Sequence, residues 1–209
     1  MTPNKAFGNQ QDRMSSELER IFAFTIELDR LKAVLRKTKP VGLDRYENTA
    51  EHSWQVCLLA LSLTKHAVPA VDSVRVVELL LVHDIPEIDA GDQIIYAGND
   101  AGRQDKERAA AERIFGLLPK EQGDWFLSRW NEFTARRTVE ARFAYAMDRL
   151  MPVLQNIYNN GQSWRENRIP LEKVLSVNSA IGDACPDVWA HIKLRVQELA
   201  SKGLFSHEN

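Results

Sequence analysis

The segment "LVHDIPEIDAGD", residues 81–92, joins the end of a predicted helix to a cluster of acidic side chains. The apolar run at residues 79–82 belongs to the helix, whereas Pro86 disfavours helical geometry at Ile85 and clashes with the preceding turn. The helix is therefore predicted to end near Asp84. The polar side chains gathered at this helix end are His83, Asp84, Glu87, Asp89 and Asp92. Burying charges is costly unless they are paired or bind a metal, so the segment is either a surface turn or a cation site.

The composition is that of an ordinary globular chain. Of its 209 residues, 44% are hydrophobic and 27% are charged, and the formal net charge is −2. This balance gives no general attraction to nucleic acids or anionic membranes, so neither is an expected partner and any phosphate-binding site must be local. The sequence shows no signal peptide or membrane span, and Cys57 and Cys185 indicate neither a disulfide framework nor a zinc site. We therefore expect a cytoplasmic protein.

Apolar residues recur at helical spacing along most of the chain, which predicts an all-α fold. We expect residues 1–15 to form a mobile N-terminal segment and residues 16–205 to form a single domain. Ser16 with Glu19 has the spacing of a capping box and predicts a first helix that runs to about residue 37. The remaining helices are predicted to begin at Asn48, which has the same signature with Glu51, to follow Asp72, and to cover residues 103–118, 124–133, 138–159, 171–179 and 187–202.

Four side chains at these helix boundaries and at one expected kink are candidate metal ligands. His52 lies in the first turn of the second helix, and Asp148 lies four residues before Pro152, which removes a backbone hydrogen bond and kinks a helix. Together with His83 and Asp84 they supply two imidazoles and two carboxylates, a set that suits a divalent transition metal and phosphate-ester hydrolysis. From residue types alone, a chance His-Asp pair beside a hydrogen-bonded histidine is an equally open interpretation.

The order of these residues resembles the HD-domain superfamily of metal-dependent phosphohydrolases, whose ligands occur as H…HD…D on the helices of an all-α bundle. The segments that look like the branch including the bacterial 5′-deoxynucleotidases are "RYENTAEHSW" (45–54), "LLVHDIPEIDAGD" (80–92), "ERAAAERIFGLLP" (107–119) and "TVEARFAYAMDRLMPVLQN" (138–156). The resemblance covers most of residues 30–190. It implies an HD-domain helical bundle.

The same resemblance implies roles for six residues. The implied ligands of a divalent metal ion are His52, His83, Asp84 and Asp148, a set that admits cobalt, manganese, magnesium, iron or zinc. Glu87 and Asp92 match two further acids of the family, which are implicated in activating water and protonating the leaving group. By residue type alone, these two acids also fit a solvated loop edge or a helix N-cap.

Two arginines are candidate substrate-binding residues. Arg36 matches by ungapped reading the arginine that the 5′-deoxynucleotidases use against the substrate phosphate, where a planar bidentate donor fits well. Arg45 is the second candidate, and its alternative is a surface pair with Glu47 or Glu51. Lys37 stands where those enzymes have a tryptophan associated with sugar selectivity, so this chain departs from them at that position.

The predicted function is that of a metal-dependent 5′-nucleotidase that acts on (deoxy)nucleoside 5′-monophosphates. The expected partner is therefore a nucleotide-like small molecule. The resemblance also implies a homodimer. The alternatives are an HD phosphohydrolase for another phosphate ester and a non-catalytic nucleotide-binding regulatory module. Other charged and aromatic residues are interpreted as scaffold. Arg103 and its basic neighbours on the fourth helix alternate with acids, as on a solvated helix face, and the tryptophans are interpreted as core or interface anchors.

Overall fold

The computed structural model describes residues 5–98 and 101–205, and over these ranges the fold is helical. The α-helices are α1 Lys5–Glu27, α2 Thr49–Leu63, α3 Ser73–Val82, α4 Glu87–Ala90, α5 Ala101–Phe115, α6 Lys120–Ala135, α7 Val139–Tyr158, α8 Gln162–Glu166, α9 Leu171–Val177, α10 Ala180–Ala184 and α11 Pro186–Ser201. Short 3-10 helices cover Leu28–Ala33, Thr64–His66 and Ile95–Ala97. Within the described ranges the extended pairing is an isolated antiparallel bridge between Leu35 and Asn48. The all-α prediction is confirmed.

Side-chain caps explain where three of the long helices begin. Asn48 and Glu51 form the predicted capping box at the start of α2, with both reciprocal hydrogen bonds present. Asp72 accepts hydrogen bonds from the first backbone N–H groups of α3, and Thr138 caps α7 in the same way. These caps place the three helices that carry the candidate ligands.

The first helix differs from its prediction at both ends. Helix α1 begins at Lys5 rather than Ser16, and it ends at Glu27, where a 3-10 helix takes over. A capping box satisfies N–H groups only where the chain upstream is not helical, so the Ser16 signature has no end to cap. Of the segment expected to be mobile, residues 1–4 lie outside the described residues and residues 5–15 are helical.

Two hydrophobic clusters meet at the end of α3. The larger one joins α2, α3, α7 and α10 and includes Leu79 and Leu80, whose side chains are fully buried. The second joins α1, α5 and α6 and includes Val82, Ile85 and Ile88. Each fully buried side chain of this size contributes about 1.5–3 kcal/mol, so the segment around residues 79–88 is fixed from two sides. Because these apolar side chains are buried on both sides of them, Asp84 and Glu87 are held in fixed positions.

The tryptophans, interpreted from the sequence as core or interface anchors, lie both in the core and on the surface. Trp130 and Trp164 are buried in the two clusters, but Trp54 lies on the outer face of α2 with 63% of its surface exposed. Among the described helices, none has the length and apolar character needed to cross a membrane.

Candidate metal centre and substrate cleft

The four predicted ligands come together at the junction of α2, α3 and α7. One ligand atom from each side chain lies within 4.8 Å of the corresponding atoms of the others, and the residues are His52, His83, Asp84 and Asp148. His52 lies in the first turn of α2, just after the Asn48 cap, while His83 and Asp84 occupy the turn that ends α3. Asp148 comes from the middle of α7, four residues before Pro152 inside the same helix. Three separate helices thus converge on one small volume.

The two histidines are oriented as metal ligands. Nδ1 of His83 donates to the Leu80 carbonyl at 2.7 Å, so the Nε2 lone pair is directed elsewhere. That Nε2 atom is buried and lies 3.1 Å from Asp84 Oδ2 and 3.6 Å from Asp148 Oδ1. His52 points its Nε2 at Asp148 Oδ1, 3.0 Å away, and its Nδ1 lies 3.4 Å from Glu47 Oε2. Two Nε2 atoms and two carboxylates facing one point, with their outer atoms held by further groups, fit a divalent metal ion.

Buried opposite charges shift the proton equilibria of this cluster strongly. Burial acts to lower the pKa of His83, but the carboxylates of Asp84 and Asp148 outweigh it and raise the pKa well above its ordinary value. Burial acts to raise the pKa of Asp148, yet its hydrogen bonds with His52 and His83 hold that pKa well below the usual range. Protons on the imidazoles balance the acids in this cluster, and a divalent ion bound there would replace those protons.

Arg36 lies beside this cluster, on an extended segment instead of the predicted helix end. Its backbone N–H donates to the Glu47 carbonyl at 2.8 Å, next to the Leu35–Asn48 bridge. Its guanidinium is 3.0 Å from Asp84 Oδ2 and 3.6 Å from Asp92 Oδ1, with 11% of the side chain exposed. Burial acts to lower the pKa of Arg36, but the surrounding carboxylates raise it overall, so the side chain stays charged.

Glu87 and Asp92 face the same cluster from α4 and the loop that follows it. Glu87 accepts a hydrogen bond from the Thr49 hydroxyl at 2.9 Å, and Arg103 Nη2 lies 3.8 Å from its other oxygen. Burial, reinforced by the charge of Asp84, raises the pKa of Glu87 well above its ordinary value. Burial also raises the pKa of Asp92. Both acids therefore keep protons to higher pH than free carboxylic acids, which suits groups that donate and accept protons.

Gly91 makes this arrangement of the two acids possible. The residue ends α4 with φ at 74°, a conformation that side chains with a Cβ rarely adopt. The chain turns at Gly91, and the next residue, Asp92, lines the same cleft as Glu87.

Arg45 is placed away from the cluster. Its guanidinium makes two hydrogen bonds to the Glu51 carboxylate, at 2.5 and 2.8 Å, and about half of the side chain is exposed. This contact is the surface pair considered as the alternative in the sequence. Asp89 likewise pairs with an arginine, Arg113 on α5.

A cleft of about 320 Å³ opens over the cluster. It is of a size that small-molecule ligands occupy. The lining side chains include Arg36, His83, Asp84, Glu87, Asp92, Arg103, Phe133, Arg136, Tyr145, Asp148 and Arg149. The cleft therefore combines the candidate ligands with several arginines and two aromatic rings.

Several of these residues were missed in the sequence. The solvated-face interpretation of Arg103 is wrong, because its side chain is only 24% exposed, lines the cleft and lies 3.8 Å from Glu87. Glu47 is fully buried between His52 and Arg36. In the sequence, its position five residues before a candidate ligand was only a weak indication of a role in the site. Arg136 and Arg149 gave no signal, because arginines on or beside helices are common and neither stands in a motif.

Comparison with known proteins decides the family. The HD domain family model matches residues 28–189 of this chain. This chain belongs to the HD domain family. The His-Asp pair of this HD domain is His83-Asp84 at the end of α3. The other two candidate ligands are His52 from α2 and Asp148 from α7.

Solved structures and curated proteins similar to this HD domain were also found. A structure from Magnetospirillum magnetotacticum MS-1, described as a predicted metal-dependent phosphohydrolase, is 38% identical with a TM-score of 0.86 and covers 92% of this chain and 97% of its own. The PH0347 protein from Pyrococcus horikoshii OT3 shares the fold, with a TM-score of 0.61, 17% identity and coverage of 83% and 99%. The Xenopus laevis 5′-deoxynucleotidase HDDC2 is 30% identical over 115 residues, which are 54% of this chain and 55% of the relative. The chain thus spans about half the length of the curated relatives that it matches.

Proposed function

We propose that this HD domain is a metal-dependent phosphomonoesterase that hydrolyses (deoxy)nucleoside 5′-monophosphates to a nucleoside and phosphate. The observation that carries the proposal is the convergence of two histidines and two aspartates within 4.8 Å, in a cleft that also contains Arg36, Glu87 and Asp92. The names of its relatives, a 5′-deoxynucleotidase and a predicted metal-dependent phosphohydrolase, support the reaction and the substrate class.

The residues that would hold the metal are His52, His83, Asp84 and Asp148. Their mixed nitrogen and oxygen donors suit cobalt, manganese, iron, zinc or magnesium. A bound divalent cation would supply Lewis-acid chemistry, polarising a phosphoryl oxygen and acidifying water. The protein's part is to fix the ligand atoms in advance, which it does through the Leu80 carbonyl on His83 and Glu47 beside His52.

Arg36, Glu87 and Asp92 are proposed to act on the substrate and on protons. Arg36 carries a permanent positive charge beside the cluster and would bind phosphate oxygens through its planar guanidinium. Glu87 and Asp92 hold protons more tightly than free acids, so one can accept a proton from water while the other protonates the departing nucleoside oxygen. Lys37 replaces the tryptophan associated with sugar selectivity, so ribonucleotides and deoxyribonucleotides are both candidate substrates.

Phosphate release from a panel of ribonucleoside and deoxyribonucleoside 5′-monophosphates tests this proposal, with cobalt, manganese or magnesium added. We expect metal-dependent release that the His83→Ala variant abolishes. The matched control is His66→Ala, because His66 pairs with the exposed Asp187 far from the cluster. Absence of release from every monophosphate under all metals would overturn the assignment. Tight nucleotide binding under those same conditions would then favour the regulatory module.

We also propose a cytoplasmic homodimer as the working form of the protein. The outer face of α2 supports the dimer, because Trp54, Leu58 and Leu61 expose 46–63% of their surfaces there. Sedimentation at several protein concentrations measures the state. A Trp54→Ser variant is expected to weaken the association, and a monomer at every concentration would contradict it.

A further inference from the structure

Two arginines in the cleft lie over one aromatic ring. The guanidinium carbons of Arg136 and Arg149 are 4.2 and 4.6 Å from the ring centroid of Tyr145. Arg136 is the left-handed residue that ends α6, whereas Arg149 and Tyr145 lie on α7. All three line the cleft that also contains Asp84 and Asp148. Two helices therefore bring two positive charges to one wall of the same cleft.

These two arginines lack the carboxylate partners that the other arginines of the cleft have. Arg36 lies 3.0 Å from Asp84, and Arg103 lies 2.6 Å from Glu107. For Arg136 and Arg149, no carboxylate among the described residues comes within 4.0 Å, and Nε of Arg149 is buried without a hydrogen-bond partner. A buried donor without a partner costs free energy, which a ligand that accepts its hydrogen bond recovers.

The position of this wall places it next to the metal ligands. The ring of Phe133 packs between His83 and Tyr145, at centroid distances of 4.8 and 6.5 Å. Arg149 also follows Asp148 directly in α7. A small molecule whose phosphate lies at the candidate metal ligands can thus extend to the two arginines.

The guanidinium groups of Arg136 and Arg149 contact the ring of Tyr145 and have no carboxylate partner among the described residues, so their N–H groups can bind a ligand in the cleft. An arginine that lies flat on an aromatic ring keeps its N–H donors in the guanidinium plane, where they match the oxygens of a phosphate group. We propose that Arg136 and Arg149, stacked on Tyr145, bind a second phosphate group of the substrate, apart from the one that is hydrolysed. This inference rests on the proposed function and extends its substrate class to nucleotides that carry a second phosphate group, which are expected to be preferred over the monophosphates.

The second group is either on the 3′ oxygen or is the inner phosphate of a 5′-diphosphate. In the first case water breaks the 5′ ester bond, and a nucleoside 3′-phosphate leaves. In the second case water breaks the phosphoanhydride bond to the terminal phosphate, and a nucleoside 5′-monophosphate leaves.

Competing substrates distinguish these cases. The ratio of kcat/KM for 2′-deoxyadenosine 3′,5′-bisphosphate to that for deoxyadenosine 5′-monophosphate is measured in the presence of metal, and deoxyadenosine 5′-diphosphate forms the second arm. We expect one of the two doubly phosphorylated compounds to be preferred by roughly tenfold or more, the effect of one charge-assisted hydrogen bond of ordinary strength. The arm that shows the preference identifies where the second phosphate lies.

The double variant Arg136→Gln and Arg149→Gln is expected to bring this ratio back to about one. Arg129→Gln is the matched control, because Arg129 is also stacked on an aromatic ring of α6, at 4.7 Å from Trp125, but does not line the cleft. The control is expected to keep the wild-type ratio. Thermal unfolding of each variant verifies that the protein is folded.

Binding provides a readout that does not depend on turnover. Calorimetry with the chelator-treated protein compares the affinities of the same three compounds for the wild type and the double variant. A preference for a second phosphate that the double variant removes supports the inference, even if no monophosphate is hydrolysed and the proposed function fails. Equal affinities and equal kcat/KM values for all three compounds overturn the inference and leave the monophosphatase function standing. A preference that the double variant retains overturns it as well.

Discussion

Glu47 Oε2 lies 3.4 Å from Nδ1 of His52, and the side chains of both residues are inaccessible to solvent. The same carboxylate receives a hydrogen bond from the Gln155 amide at 2.5 Å and lies 3.5 Å from Arg36 Nε. A buried acid behind a ligating histidine fixes the orientation of its ring and makes it a stronger ligand. Glu47 thus connects a candidate metal ligand to the arginine proposed to bind phosphate.

Glu47→Gln is expected to lower metal affinity by about 10–100-fold, the usual effect of losing such a partner. The substitution keeps the size of the side chain and an oxygen that can accept from Gln155, but it removes the negative charge facing His52. Calorimetric titration with manganese or cobalt measures the change. Glu121→Gln, at an exposed position on α6, is the control. Unchanged metal affinity in Glu47→Gln would show that the acid only fills the core.

The pH dependence of metal binding follows from the raised pKa of His83. A metal ion must displace the proton that Asp84 and Asp148 help His83 to hold, so affinity should rise with pH until the site is deprotonated. Proton release is measured by calorimetry in buffers of different ionisation enthalpy. A metal affinity that is flat below neutral pH, with no proton released, would contradict this protonation state.

The stability of the metal-free protein should change in the opposite direction. Because the pKa of His83 is higher in the folded chain than its unfolded value of 6.5, its stabilisation is fully present below that pH. It is lost as pH rises through the folded-state pKa. The melting temperature of chelator-treated protein should therefore fall on this alkaline side, and added metal should restore it. A His83→Ala variant should lack this component of the pH dependence.

Glu87→Gln is expected to reduce kcat by about 10²–10⁴-fold, because it removes a group that we propose to carry a proton in the reaction. Metal content should stay close to the wild-type value, since Glu87 is held by Thr49 and is not among the four clustered ligands. Asp89→Asn is a neighbouring control, as Asp89 pairs with Arg113 outside the cleft. Equal loss of kcat in both variants would indicate a general disturbance of α4.

Local signals in the sequence predicted the framework of the site well. The Asn48–Glu51 box fixes where α2 begins, and the Asp72 cap and Pro86 fix where α3 begins and ends. These boundaries position three of the four candidate ligands. Ser16 failed as a start signal because capping depends on the conformation upstream, which a four-residue pattern does not contain. A local capping pattern therefore predicts a helix start correctly only where the preceding residues are not helical.

The rest of the cleft depends on tertiary contacts that no local pattern reveals. Arg136 and Arg149 are separated by a helix junction, and they meet at Tyr145 only because α6 and α7 pack side by side. In the sequence, Arg103 resembles any basic residue on a solvated helix, and its contact with Glu87 becomes visible only from the way α5 packs. The assignment of the four ligands likewise required the order of the residues in a family in addition to their types.

Anomalous X-ray scattering from crystals of the purified protein tests whether the four clustered residues bind one metal ion. We expect a peak for a divalent metal within coordination distance, roughly 2.0–2.3 Å, of one atom each from His52, His83, Asp84 and Asp148. The peak should disappear in His83→Ala crystals grown under the same conditions. A peak at another place on the chain, with these four side chains hydrogen-bonded only to one another in protein supplied with excess metal, would contradict the account.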